Sequence, residues 1–203
     1  MAEVSGKAHV TAEHHYDEAV QAIRDDAKAP PTLLSLASMA ALVTAATSSP
    51  EGGCFVEVGV YEGGSAYHLA KVAREQGRRI YLYDTFEGIP CHNKEKGDRH
   101  KVGDFSDVRM QDVVAAIPDA ITVKGYFPAS MIPMPPVAFA HIDADQYDSI
   151  IDSCRALEGL MMAGGIVVFD DYGCLEGATK AVDEYFGKSR VEFNEAGKAF
   201  VRY

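Results

Sequence analysis

The chain has 203 residues, 47% of them hydrophobic and 24% charged, with 30 acidic against 19 basic side chains and a formal net charge of −11. That length fits one domain with a sizeable core, and the balance of apolar and charged residues excludes a disordered chain. The acidic excess speaks against nucleic acid and anionic lipid as partners, because binding phosphates calls for a basic surface, and it suits cations.

The first ten residues, MAEVSGKAHV, lack the basic and apolar regions of a signal peptide. The longest apolar stretch, 33–46, is shorter than the ~20 residues of a membrane span. Cys54, Cys91, Cys154 and Cys174 form no C-x-x-C unit and read as reduced thiols of a cytoplasmic protein. The expectation is one domain over 1–203, with N-terminal helices in 1–50 and an α/β core in 51–203. The first helix spans about 14–28, and Pro30-Pro31 separate it from a second over 32–47 with Thr32 as its N-cap. An apolar helix there can cover the domain or a partner subunit, so a homo-oligomer stays open.

From Cys54 onward, strands and helices alternate. Strand patterns cover 54–60, 79–84, 121–124, 137–143 and 165–170. Helical patterns follow up to 76, over 107–117, 147–160 and 178–186, and a polar stretch runs from 87 to 106. Two short runs, 190–193 and 198–203, suggest an antiparallel hairpin. Alternation of this kind implies a Rossmann-like, doubly wound, mostly parallel α/β sheet whose ligands bind beyond the carboxyl ends of the strands.

The first strand enters a turn containing Gly59, Tyr61, Gly63, Gly64 and Ser65. Glycines allow a tight turn and close approach of backbone to a ligand, and the next helix offers free N–H groups to a carboxylate or phosphate. The turn is not G-x-G-x-x-G, so a dinucleotide fits less well. Asp84 ends the second strand, where a carboxylate can accept both hydroxyls of a ribose, or serve only as a turn residue.

Asp143 ends the fourth strand and Asp170-Asp171 the fifth, so adjacent parallel strands bring three carboxylates together. Two such charges at 4 Å repel by about 4 kcal/mol at an effective dielectric of 20. The trio therefore calls for a cation or a retained proton. Oxygen-only donors select a hard metal, Mg²⁺ first, with Mn²⁺ or Ca²⁺ as alternatives. Asp145 can act as a general base, or cap the next helix together with Asp148. His141 alternates with Asp143 and reads more simply as a core histidine, while His92 and His100 sit in a segment long enough to be a lid.

Five motifs, E-V-G-V-Y-E-G-G-S, D-T-F-E-G-I-P, K-G-Y-F-P, H-I-D-A-D-Q-Y-D-S and F-D-D-Y-G, occur in this order. In that order they resemble the macrocin O-methyltransferase family, and the first is also similar to the cofactor loop of catechol O-methyltransferases. The resemblance implies a class I methyltransferase fold, S-adenosylmethionine as cofactor and metal dependence. It implies that Glu57, Gly59, Tyr61 and Ser65 surround the methionine moiety and that Asp84 holds the ribose. It further implies that Thr85, Phe86 and the Gly125-Tyr126-Phe127 turn border the adenine, and that Asp143, Asp170 and Asp171 hold the metal.

The implied reaction is methylation of a hydroxyl on a small molecule, a sugar or phenolic natural product, with Asp143 and Asp145 in the catalytic roles. The N-terminal part is shorter than expected for the macrolide-tailoring members, with less material to cover a large acceptor. A D-x-D at 143–145 also permits a metal-dependent nucleotide-sugar glycosyltransferase, and a non-catalytic Rossmann-like module is the third reading.

Overall fold

Apolar runs without polar alternation make strands that can be buried on both faces, which is the pattern of a sheet sandwiched between helices. The computed structural model describes residues 16–194 and 196–203. Residues 1–15, with the expected start of the first helix and the stretch weighed as a signal peptide, lie outside them. The elements begin with α1 (16–24), α2 (Leu36–Thr47), β1 (Cys54–Val58), α3 (Gly64–Glu75), β2 (Ile80–Asp84), α4 (Met110–Ala116) and β3 (Ile121–Lys124). There follow β4 (Val137–Ile142), α5 (Tyr147–Glu158), β5 (Met161–Phe169), α6 (Glu176–Phe186), β6 (Glu192–Phe193) and β7 (Ala199–Arg202).

The seven strands form one sheet in the order β3-β2-β1-β4-β5-β7-β6. Strands β1 to β5 pair in parallel, β7 lies antiparallel to β5, and β6 antiparallel to β7. The expected doubly wound, mostly parallel sheet with a C-terminal antiparallel hairpin is therefore the fold observed. Every residue of the central strands β1 and β4 is buried. On one face Val56, Tyr83, Ile142 and Phe169 pack with Ile150, Leu157 and Val182 of α5 and α6. On the other, Phe55, Leu82, Phe139 and Val168 pack with Met39, Leu42, Leu69 and Val113 of α2, α3 and α4.

Helix starts depart from expectation where a local bond competes. Helix α2 begins at Leu36: Ser35 is extended and its side chain accepts from Ser38 N, whereas Thr32 Oγ1 accepts from Leu34 N in the preceding turn. Ser35, not Thr32, is the N-cap. Helix α5 has Gln146 at its N-cap position without a side-chain cap. Its first N–H, from Tyr147, donates instead to Asp98 Oδ1 at 2.8 Å. Asp145 is thus no helix cap; the buried Asp98 performs that task from the distant polar segment.

The order of strands reverses between β1 and β4, which is where this architecture opens a crevice. Gly59, with φ +86°, directly follows β1 there, and a Cβ on it would lie 1.8 Å from the Asp143 carbonyl oxygen. Glycine is what lets the cofactor loop and the acidic strand end lie against each other. Among the described residues no helix is long and apolar enough to cross a membrane.

Candidate active site

A cavity of about 390 Å³ opens at this crevice. Of the expected site residues, it is lined by Gly59, Tyr61, Asp84, Thr85, Gly125, Tyr126, Phe127, Asp143, Asp145, Asp170 and Asp171. Glu57, Gly63, Ser65 and Phe86 are buried and do not line it. Glu57 lies wholly inside the sheet, hydrogen-bonded to His141. Gly63 and Ser65 sit at the start of α3, where Gly63 is left-handed with φ +93°. Phe86 belongs to the core on the α3 side.

Asp84 is built into the loop it faces. Its Oδ2 accepts from Val60 N (2.7 Å) and Tyr61 N (3.0 Å), and its Oδ1 from Phe86 N (2.7 Å). A carboxylate offers about four acceptor positions, so about one remains for a ligand hydroxyl. Beside it, Tyr83 and Phe127 pack with ring centroids 4.8 Å apart, and Tyr126 OH donates to Asp152 Oδ2 at 2.8 Å. This half of the cavity is a flat apolar border with a carboxylate at its edge, which suits a nucleoside.

The other half is acidic. His141, Asp143 and Asp170 each bring one ligand atom within 4.8 Å of the others. Asp171, expected in this trio, stands beside it with a buried Oδ2 that has no partner. His141, read from the sequence as a core histidine, is wholly buried beside Asp143 and Asp170. Its Nδ1 donates to Glu57 Oε1 at 2.8 Å, and its Nε2 lies 3.8 Å from Asp170 Oδ1. Lys198, at the start of β7, donates to the Asp170 carboxylate and to its carbonyl.

Crowding sets the proton affinities. Burial pushes the Asp143 carboxyl well above the usual range, and Asp170 and Asp171 add to this. Burial, then Asp171 and Asp170, push Asp145 up to about 8. Burial and Asp170 push Asp171 up to about 6. Asp170 goes the other way, to about 2: burial opposes its charge, but His141 and Lys198 outweigh that. Burial likewise opposes the charge of His141, yet Asp170 and Glu57 hold its pKa up at about 10. Carboxyls forced to keep protons, beside buried ring and carboxylate atoms without partners, are a donor set that fits a divalent cation.

Asp145 projects into the cavity from a left-handed backbone (φ +57°), its Oδ1 3.6 Å from His100 Nε2. His100 lines the cavity and packs edge-on against Phe105, whereas His92 is exposed and its Nδ1 donates to the His100 carbonyl. Leu33, Leu34, Ile89, Pro90 and Phe105 also line the wall. The sequence reading missed these wall residues, Lys198 and Asp98. Lys198 was detectable once β7 is paired with β5, because the register Phe169↔Ala199 carries Lys198 to Asp170.

A sequence profile described as macrocin-O-methyltransferase (TylF) matches residues 13–194. The chain belongs to the macrocin O-methyltransferase family. It is 29% identical over 157 residues to the 8-demethyl-8-(2,3-dimethoxy-alpha-L-rhamnosyl)-tetracenomycin-C 4′-O-methyltransferase of Streptomyces olivaceus, covering 67% of this chain and 59% of that protein. It is 27% identical over 154 residues to the demethyldecarbamoylnovobiocin O-methyltransferase of Streptomyces niveus, with the same coverage of each. The matched region thus spans less than two thirds of these curated relatives.

Among solved structures, the O-methyltransferase NovP superposes with a TM-score of 0.73 at 22% identity, covering 84% of this chain and 81% of that one. The calicheamicin methyltransferase CalS11 superposes with a TM-score of 0.65 at 21% identity, covering 82% of this chain and 77% of the other. This member of the macrocin O-methyltransferase family accordingly has the class I methyltransferase fold.

Proposed function

We propose that the chain is an S-adenosylmethionine-dependent, divalent-cation-dependent O-methyltransferase acting on a hydroxyl of a small molecule, a sugar or a phenolic natural product. The observation that carries this is a single cavity lined at once by Asp84 with its apolar border and by Asp143, Asp145, Asp170 and Asp171. Family membership and relatives named as O-methyltransferases of a rhamnosyl-tetracenomycin and of demethyldecarbamoylnovobiocin support a sugar or phenolic natural product as acceptor. They also favour methyl transfer over the glycosyltransferase and non-catalytic readings. Four free cysteines and the acidic surface support a cytoplasmic enzyme without a nucleic-acid or membrane partner.

In this reading Asp84 accepts a ribose hydroxyl through its remaining acceptor position. Tyr83, Tyr126 and Phe127 border the adenine, and Tyr61 and Gly59 face the methionine end. Asp143, Asp170 and Asp171 hold the cation, which when bound would polarise the acceptor hydroxyl and lower its pKa. Asp145, which projects into the cavity beside His100, takes the hydroxyl proton. The acceptor oxygen attacks the sulfonium methyl in one displacement, the C–S bond breaks, and S-adenosylhomocysteine leaves. Leu34, Ile89 and Phe105 give the cavity an apolar wall, and the fixed geometry supplies much of the rate.

Isothermal calorimetry and a labelled-methyl assay over glycosylated phenolic acceptors test the proposal. S-adenosylhomocysteine should bind, with Asp84→Ala weakening it by about tenfold or more, the cost of lost hydrogen bonds to a buried carboxylate. Chelation should abolish methyl transfer and added Mg²⁺ or Mn²⁺ restore it. Binding of NAD without S-adenosylhomocysteine, or full turnover in excess EDTA, would overturn the corresponding part.

A further inference from the structure

A glycine with ordinary helical backbone angles needs a reason other than conformation, because any residue adopts those angles. Gly64 opens α3 in that way, unlike its left-handed neighbour Gly63. A Cβ on Gly64 would lie 2.5 Å from Thr32 Cβ and 2.6 Å from the Pro31 carbonyl oxygen. The reason is therefore a close approach. Residues 26–34, which connect α1 to α2, form a strap seated on the start of α3.

The strap is fastened on both sides of that seat. Upstream, the Asp26 carboxylate accepts from Lys71 Nζ of α3 at 2.7 Å and from Lys28 N at 3.1 Å. Downstream, Leu34 N donates to Thr32 Oγ1 at 3.1 Å, Leu34 packs against the core, and Ser35 caps α2. These contacts leave Leu33 71% exposed while it lines the active-site cavity with Leu34 and Phe105. A single exposed leucine is ordinary on a protein surface. This one borders the cavity and is held there from both sides, so hydrocarbon laid over it would leave water at the mouth of the site.

We propose that Leu33 is a specificity-determining residue that meets an apolar body of the acceptor, and that Gly64 and Asp26 are its positioning residues. The acceptor is then amphipathic. Its hydroxyl reaches the carboxylates at the strand ends, and hydrocarbon beyond the hydroxylated ring lies across Leu33. The second glycine of the Gly63-Gly64 pair serves the acceptor through the strap, not the cofactor. This inference rests on the O-methyltransferase reading above and adds the chemical character of the acceptor to it.

Calorimetry on the protein loaded with S-adenosylhomocysteine and Mg²⁺ tests this with methyl against phenyl β-D-glucoside and with catechol against 4-phenylcatechol. In at least one pair the phenyl member should bind about tenfold more tightly. Leu33→Ala should reduce that ratio to about twofold, and Leu33→Met should keep it. Asp26→Asn and Gly64→Ala should also reduce the ratio, and trypsin should cut faster at the exposed Lys28 in both. The Leu33 variants alter an exposed side chain, so the proposal stays falsifiable even if Gly64→Ala fails to fold. Equal affinities within both pairs, or a phenyl preference that survives Leu33→Ala, would overturn it and leave the methyltransferase reading intact. Binding of S-adenosylhomocysteine but of none of the acceptors would do the same. A protein that binds no S-adenosylhomocysteine would overturn it together with that reading.

Discussion

Asp145 holds a left-handed backbone conformation, φ +57°, which asparagine and aspartate tolerate better than other residues. Its carboxyl faces His100 and the acidic group, not the helix that follows. Asp145→Asn therefore keeps the backbone and removes a group whose ionisation burial already opposes. Thermal melting should show equal or higher stability, and S-adenosylhomocysteine should bind normally. Methyl transfer should fall by about 10²–10⁴, the range for loss of a general base. Undiminished turnover at neutral pH would pass the proton to His100 or to water. The spacing of Asp145 and Asp148 is a sound local signal for a cap, but the bond that decides it comes from Asp98, 49 residues before its partner Tyr147. His141 is the buried, hydrogen-bonded core histidine that the sequence suggests, but its partner was not legible. Strand alternation puts it on the side of Asp143, but only the pairing of β1 with β4, Glu57 opposite His141, reveals its carboxylate.

The strands were legible as elements because parallel strands buried on both faces are continuous apolar runs, and β1, β2, β4 and β5 each have one. The segment from 87 to 106 was not, because its order comes from polar bonds to other elements. Ile89 N donates to Asp104 O and Gly103 N to Ile89 O, which closes the segment on itself. Asp98 then anchors it: Oδ1 accepts from Tyr147 N and Oδ2 from Asn93 N, and Gln146 Nε2 donates to the His100 carbonyl. A Cβ on Gly177 would lie 2.2 Å from Asp98 Oδ1, so α6 leaves room for this carboxylate. Asp98→Ala removes two charge-assisted bonds and leaves the start of α5 uncapped. Urea denaturation should report a loss of about 2–3 kcal/mol. Trypsin should cut faster at the exposed Arg99 and Lys101, and Asp98→Asn should recover part of both effects. Unchanged cleavage would mean that the segment is held by its other contacts.

At the scale of the whole molecule, the chain carries a net charge of −11, and the carboxyls crowded where the sheet opens make stability depend on pH in a particular direction. The folded-state pKa values of Asp145 and Asp171 are raised to about 8 and about 6 from 3.8. Between those limits the folded protein binds more protons than the unfolded chain, so stability falls as pH rises. His141 acts in the same sense over a higher window. Its pKa is raised from 6.5 to about 10, so its contribution is complete below 6.5 and is lost as pH rises through 10. Asp170 opposes them only in acid: lowered to about 2, it contributes stability above 3.8 that disappears as pH falls through 2. Asp171 lowers stability with rising pH up to about 6, Asp145 up to about 8 and His141 from 6.5 to about 10, so the three follow one another in the same direction while Asp170 is silent above pH 5. In EDTA the melting temperature should therefore decline steadily from pH 5.5 to 8.5. A bound divalent cation takes the place of the retained protons, so saturating Mn²⁺ should raise the melting temperature more at pH 8.5 than at 5.5 and flatten the profile. Scanning fluorimetry at three pH values with and without the ion measures both slopes. A flat profile in EDTA would mean that the carboxylates are solvated rather than crowded, and the cation would then have little electrostatic strain to relieve.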